Sequence, residues 1–247
     1  YGGIRKYQWG TVPLSMHGVV MKADGETVEV SIGEKEGDPQ FCVTDLLPHL
    51  AAEQNGRKLG EGLKGEELNI IIGSIPYHDE ENEKIKNPAK LLAMKLLNDR
   101  YGITEKDFTR AEIEMVPAYK AVDIGLDRGL IGSYGQDDRV CAYTALMAEI
   151  AAENPEHTTF TILTDKEEIG SYGATGMTSH FYENALAEIM NLTGEYSSLK
   201  FRRAMAASNL LSADVSSVFD PMFADSFEQK NVAYLGGGLV FNKVTGA

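Results

Sequence analysis

Cysteine is scarce: Cys42 and Cys141 are the two in 247 residues, far apart and outside any C-x-x-C spacing. That excludes a disulfide framework and a thiolate metal site, and it fits a reducing compartment. Long apolar runs are missing too. None approaches the roughly 18 residues a bilayer-spanning helix needs, and the first residues lack the charged and apolar regions of a signal peptide. The expected location is the cytoplasm. Positive charge is the third shortage. Against 37 Asp and Glu stand 23 Lys and Arg, a formal net charge of -14, and the basic residues are scattered rather than gathered in a stripe. Such a chain is the wrong electrostatic match for a phosphate backbone or an anionic bilayer, so neither nucleic acid nor a membrane is expected as a partner.

What is present suits a folded protein. A hydrophobic content of 43% supports a sizeable core in one or two domains. The chain opens without methionine at "YGGIRKYQWG" and closes on "GGGLVFNKVTGA", which reads as a strand continuing into more protein. An internal portion of a longer polypeptide is expected.

Within residues 12–34, "VPLSMHGVVMKADGETVEVSIGE" carries two β-rich runs on either side of Ala23-Asp24-Gly25, a hairpin signal. A further strand is predicted at "LNIIIGSIP", 68–76. "NPAKLLAMKLLNDRYG", 87–102, has Leu91, Leu92, Met94, Leu96 and Leu97 at helical spacing between an Asn-Pro start and a glycine stop. Alternation returns in "RAEIEMVPAYKAVDIG", 110–125. Beyond about Leu130 helix and strand signals take turns: helices at 139–154 and 179–194, strands at 157–165 and 206–219. That rhythm predicts α/β layers around a largely buried sheet. The domain reading is an edge of the α/β domain at 1–10, a mixed, β-rich module at 11–127 and the incomplete remainder of that α/β domain at 128–247.

Carboxylates fall at the joints of the alternating half. Asp137 and Asp138 precede a helix, Asp165, Glu167 and Glu168 follow one strand, and Asp214 ends the next. In open α/β sheets ligands bind beyond the carboxyl ends of the strands. Each group has an ordinary alternative: an N-cap for Asp137 or Asp138, a solvated loop pair for Glu167 and Glu168, a turn for Asp214. Their coincidence points elsewhere. Gathered carboxylates repel unless a cation lies among them, and adjacent glutamates can then divide the labour, one binding the ion and the other moving a proton of metal-bound water.

Taken in order, "VPAYKAVDIG", "GSYGQDDRVCAY", "DKEEIGSYGA" and "LLSADVSS" resemble the M18 family of dinuclear zinc aminopeptidases, above all its bacterial members. The resemblance runs along nearly the whole chain. It implies an α/β zinc-peptidase domain of three layers, interrupted by an inserted dimerisation domain at 11–127. Position by position it makes Asp137 the carboxylate bridging two divalent ions, Glu168 and Asp214 ligands of one ion each, and Glu167 the general base, with Asp138 supporting the site. Zinc is the implied metal, cobalt or manganese the alternatives. Peptide substrates and a homo-oligomer of dimers, assembling to a dodecamer, are also implied.

The family's two terminal histidine ligands sit in motifs that these 247 residues do not contain. His17, His78, His157 and His180 read as packing or surface histidines. His49, in "VTDLLPHLA", resembles a family histidine that reaches the neighbouring subunit's active site; a solvent-facing residue is its alternative. The chain departs from relatives at "WGTVPL" and in "SADVSSVFDP", where Ser217 and Asp220 replace histidines, which puts a preference for acidic N-terminal residues in doubt. Two other readings stay open: a non-catalytic assembly protein that keeps the fold, and a two-metal amidohydrolase of M42 or M20 type.

Overall fold

The computed structural model describes residues 5–78 and 85–241, so 1–4 and the end of the strand expected at the C-terminus lie outside the described residues. The described chain forms two compact units, 5–134 and 135–241.

In the first unit the expected hairpin forms. β1 (Leu14–Met21) and β2 (Thr27–Ile32) pair antiparallel, Met16 opposite Ile32 and Val20 opposite Val28. Gly25 N–H donates to the Lys22 carbonyl and Glu26 N–H to the Asp24 carboxylate, each at 3.0 Å, while Gly25 adopts a left-handed φ of 90°. Because side chains alternate across a strand, Met16, Val20, Val30 and Ile32 are buried and Val19 and Met21 are exposed.

The next elements are short: β3 (Cys42–Val43), α1 (Ala52–Asn55) and β4 (Ile70–Ile71), with β3 and β4 paired antiparallel. The strand predicted at 68–76 is thus cut to two residues. Ile72 and Ile75 stay exposed, because an apolar run favours extended backbone but a ladder also requires a partner alongside.

α2 (Pro88–Tyr101) matches its sequence signals closely. Pro88 occupies the first turn, where its missing N–H costs nothing, and Gly102 ends the helix in the left-handed region at φ 66°, its N–H 2.7 Å from the Asn98 carbonyl. Leu97 and Tyr101, one turn apart, pack on the core, while Leu96 projects outward.

β5 (Ala111–Pro117) joins β1 on the side away from β2. Met115 lies beside Met16 and Ile113 beside Gly18. A Cβ at Gly18 would stand 2.0 Å from the Glu112 carbonyl oxygen, so the close approach of β5 needs glycine there. The core of this unit comprises Leu14, Met16, Val20, Val30, Ile32, Phe41, Val43 and Ile103. A second hairpin, β6 (Val122–Ile124) with β7 (Leu130–Gly132), spans the boundary read from sequence at 127/128.

The second unit contains α3 (Gln136–Ala151), α4 (Phe181–Leu192) and α5 (Ser198–Ala207). The first two are the helices the sequence predicts. α5 is not among them, although Ser197 caps it by accepting the Lys200 N–H at 3.1 Å. The strands predicted at 157–165 and 206–219 form no ladder among the described residues. Their pairings are single parallel bridges, Asp165 with Gly176 and Val218 with Ala233. The buried sheet read from the alternation is therefore not formed by the described residues, and Leu210 and Leu211 are 76% and 91% exposed.

Leu14 is fully buried between the sheet and Phe41, with which it exchanges backbone hydrogen bonds of 2.8 and 2.9 Å. Leu14→Ala is expected to lower unfolding free energy by about 2–5 kcal/mol. Met21→Ala, at an exposed position, should stay within about 0.5 kcal/mol. Urea unfolding midpoints of the two variants check the contrast.

Candidate active site

Three segments of the second unit carry the acidic residues singled out by sequence. At the entrance to α3, Gly135 turns the chain at φ 77°, and Asp137 (ψ 112°) and Asp138 (φ -114°, ψ 25°) keep non-helical backbone before the regular helix runs on from Arg139. The peptide joining the two aspartates is cis. This end of a helix favours negative charge.

Glu167 and Glu168 begin a 3-10 turn, Glu167–Ile169, bracketed by two left-handed residues, Lys166 at φ 68° and Gly170 at φ 92°. Successive residues of such a turn diverge by about 120° around its axis, so adjacent glutamates face different ways. Lys166 lies beside Asp165, Nζ to Oδ2 3.4 Å. Asp214 sits in irregular, exposed chain, and its Oδ1 accepts the Val215 N–H at 2.7 Å.

The electrostatics of Asp137 bring these segments together. Asp137 is an exposed residue, yet the partial desolvation of its carboxyl pushes it above the ordinary carboxylate range, and the negative charges of Asp214, Glu168 and Asp138 act in the same sense, as does a hydrogen bond with Asp214. Cys141 belongs to the same neighbourhood. Burial raises its thiol, followed by the charges of Asp214, Asp138 and Asp137. It stands four residues after Asp137, beyond the non-helical backbone of Asp137 and Asp138, so helical spacing alone does not bring the two together.

The donor chemistry fits a divalent cation: carboxylate oxygens held near one another against their own repulsion. The geometry is less complete than the electrostatics. Among the described residues no group of three or more His, Cys, Asp or Glu side chains is gathered tightly enough to hold a metal ion. The two observations differ in range, because charge acts over distances longer than a coordination bond. Asp137, Glu168 and Asp214 are neighbours, and they do not close around one point.

None of the predicted packing histidines contradicts that reading. His17 Nε2 lies 3.1 Å from both Ser15 Oγ and Glu34 Oε1, His180 Nδ1 lies 3.3 Å from Glu183, and His78 and His157 are exposed. His49 belongs to the first unit, in an exposed turn just before α1.

The raised carboxyl of Asp137 has a signed consequence for the metal-free protein. Between the unfolded value, 3.8, and the higher folded one, the folded state binds the extra proton, so this group's contribution to stability falls as pH rises through that window. Asp137→Asn removes the effect. In chelator, the variant is expected to melt above the unsubstituted protein at pH 7 and to approach it near pH 4, as thermal unfolding across pH would show.

The family profile described as aminopeptidase I zinc metalloprotease (M18) matches residues 1–247. A probable M18 family aminopeptidase 1 of Clostridium acetobutylicum is 53% identical over all of this chain, which covers 52% of that relative. Its counterpart in Thermotoga maritima is 46% identical, with 53% of it covered. Among solved structures, the Thermotoga maritima M18 aminopeptidase superposes with a TM-score of 0.87 at 45% identity, over 96% of this chain and 52% of that one. Aminopeptidase I from Clostridium acetobutylicum gives 0.86 at 51% identity, over 100% and 52%. The chain spans about half the length of the curated relatives it matches. With carboxylates from three segments acting on one another in a mixed α/β chain of this similarity, the protein belongs to the M18 family of zinc metalloproteases.

Proposed function

We propose that this chain is part of a metal-dependent aminopeptidase that hydrolyses the first peptide bond of a peptide. The observation carrying the proposal is the match of the M18 zinc metalloprotease profile to residues 1–247, and the raised carboxyl of Asp137, on which the charges of Asp214 and Glu168 act, agrees with it. The carboxylates of Asp137, Glu168 and Asp214 would hold the metal, Asp137 as the bridge between two ions and the others as ligands of one each. A divalent ion, zinc in the family's description with cobalt or manganese as substitutes, supplies Lewis acidity that brings water within reach of a carboxylate base. Glu167 takes the proton of the attacking water and delivers it to the leaving amine. Asp138 has a supporting, structural role beside Asp137.

The finer architecture belongs to the same proposal. Residues 11–127 are the inserted dimerisation domain, and the segment from 128 onward contributes to a three-layer catalytic domain. Dimers assemble further, to a dodecamer in the full reading. His49 reaches the active site of a neighbouring subunit, which its exposed turn and the exposed Leu46, Leu47 and Leu50 around it support as a contact surface. No described helix is long and apolar enough to cross a membrane, and the cytoplasm is the proposed location.

Release of N-terminal residues from a panel of aminoacyl chromogenic amides, with chelator and then with added zinc, tests this reading. Chelator-sensitive release restored by metal is expected. No release from any amide with any metal would favour the non-catalytic assembly protein or an amidohydrolase of other acylated compounds. Glu167→Gln should keep its metal and lose roughly 10²- to 10⁴-fold in kcat. A variant turning over at the unsubstituted rate would remove Glu167 from its role.

A further inference from the structure

The segment after the two glutamates is tied at both ends by contacts that neither the family's motifs nor the carboxylate cluster requires. At its start, Asp165 N–H donates to the Thr175 carbonyl at 3.0 Å, Thr175 Oγ1 donates to Asp165 Oδ2 at 3.3 Å, and Asp165 bridges Gly176. At its end, Thr178 donates twice to the Ser171 carbonyl, from its N–H at 3.2 Å and from Oγ1 at 2.6 Å. Ser171 in turn returns its N–H to the Lys166 carbonyl at 2.8 Å, which Ile169 N–H also approaches at 3.2 Å. Lys166 is the residue immediately before Glu167. A chain of hydrogen bonds thus runs from Thr178 through Ser171 to the entrance of the glutamate turn.

Gly176 is where the two ties meet. It is buried, and a Cβ there would stand 2.0 Å from the Ser171 carbonyl oxygen and 2.9 Å from that of Tyr172. Backbone crosses backbone with no room for a side chain between. Ser171 is itself left-handed, φ 59°, a conformation that a serine keeps only when its surroundings hold it. Thr178 and Gly176 supply that restraint.

We infer that Thr178 and Gly176 are positioning residues for the reaction, a clasp that fixes the 3-10 turn and so the separate directions of Glu167 and Glu168. The inference rests on the aminopeptidase reading. The clasp acts through the backbone and touches neither substrate nor metal. Misplacing a metal ligand and a base together lowers metal affinity as well as turnover, whereas a substitution that merely weakens the fold leaves both properties of the folded fraction intact.

The experiment compares Thr178→Val, which keeps the branched shape and removes the hydroxyl donor, with Thr178→Ser, which keeps the donor, in the intact protein. Two quantities are read: zinc bound at equilibrium against buffered free zinc, and kcat with KM on the best amide of the panel. Thr178→Val is expected to lose roughly 10- to 100-fold in zinc affinity and in kcat, as changes to groups supporting metal ligands do, with KM within about twofold and Thr178→Ser near the unsubstituted protein. Gly176→Ala should show the same pattern more strongly, although it can also disturb folding, which is why the threonine pair decides. Unchanged zinc affinity and kcat in Thr178→Val would overturn the inference, as would equal losses in Thr178→Val and Thr178→Ser. Were the unsubstituted protein to bind zinc yet hydrolyse no amide, the functional reading would fall while the zinc comparison still decided the clasp.

Discussion

Like charges held close together are the constraint on which the site depends. Asp137 has Asp138 as its chain neighbour, Glu168 and Asp214 acting on it from distant segments, and a carboxyl raised by partial desolvation and by all three. Without a cation that arrangement works against the folded state, so the backbone around it must be held by other means. The helix entrance at Gly135 and the left-handed residues Lys166 and Gly170 supply part of that restraint. Hydrogen bonds between Thr178 and Ser171 supply more.

The first unit answers to a different constraint, apolar burial in register. β1 is central because both its neighbours bring inward residues opposite its own, Ile32 and Met115 flanking Met16. Gly18 allows β5 to approach, at the cost of a side chain on the inward face. The outward face carries Glu112 and Glu114 on β5, with Glu114 opposite His17. Charge on this strand is thus placed where water can reach it, whereas the buried Asp107 is held by Thr104, whose N–H and Oγ1 donate to its carboxylate at 2.8 and 2.6 Å.

Much of this was legible along the chain, and what was legible was local. The hairpin at Asp24-Gly25 and the limits of α2 at Asn87-Pro88 and Gly102 rest on backbone preferences of single residues and their nearest neighbours. The extended segments at 157–165 and 206–219 mark the limit of such reasoning. Their composition favours extended backbone, yet strand hydrogen bonds join separate segments, and the described residues supply single bridges only. α5 falls almost wholly between the helix expected at 179–194 and the strand expected at 206–219, and its Ser197 cap is the local signal that marks it. Cys141 carries no motif in the sequence, and only the folded chain brings the charges of Asp214, Asp138 and Asp137 to bear on it.

By itself the sequence determined which residue types stand at which joints: aspartates at a helix start, paired glutamates before two glycines, an aspartate in an extended run, and motifs that identify the M18 family. Those are properties of short windows, and short windows suffice for helix limits, turns and motif matches. Tertiary structure decided which of these residues act on one another. Glu168 and Asp214 are remote from Asp137 in sequence, and their charges reach it only because the folded chain returns to the same place. Electrostatic and hydrogen-bonding energies depend on distance in space, which a one-dimensional chain does not specify.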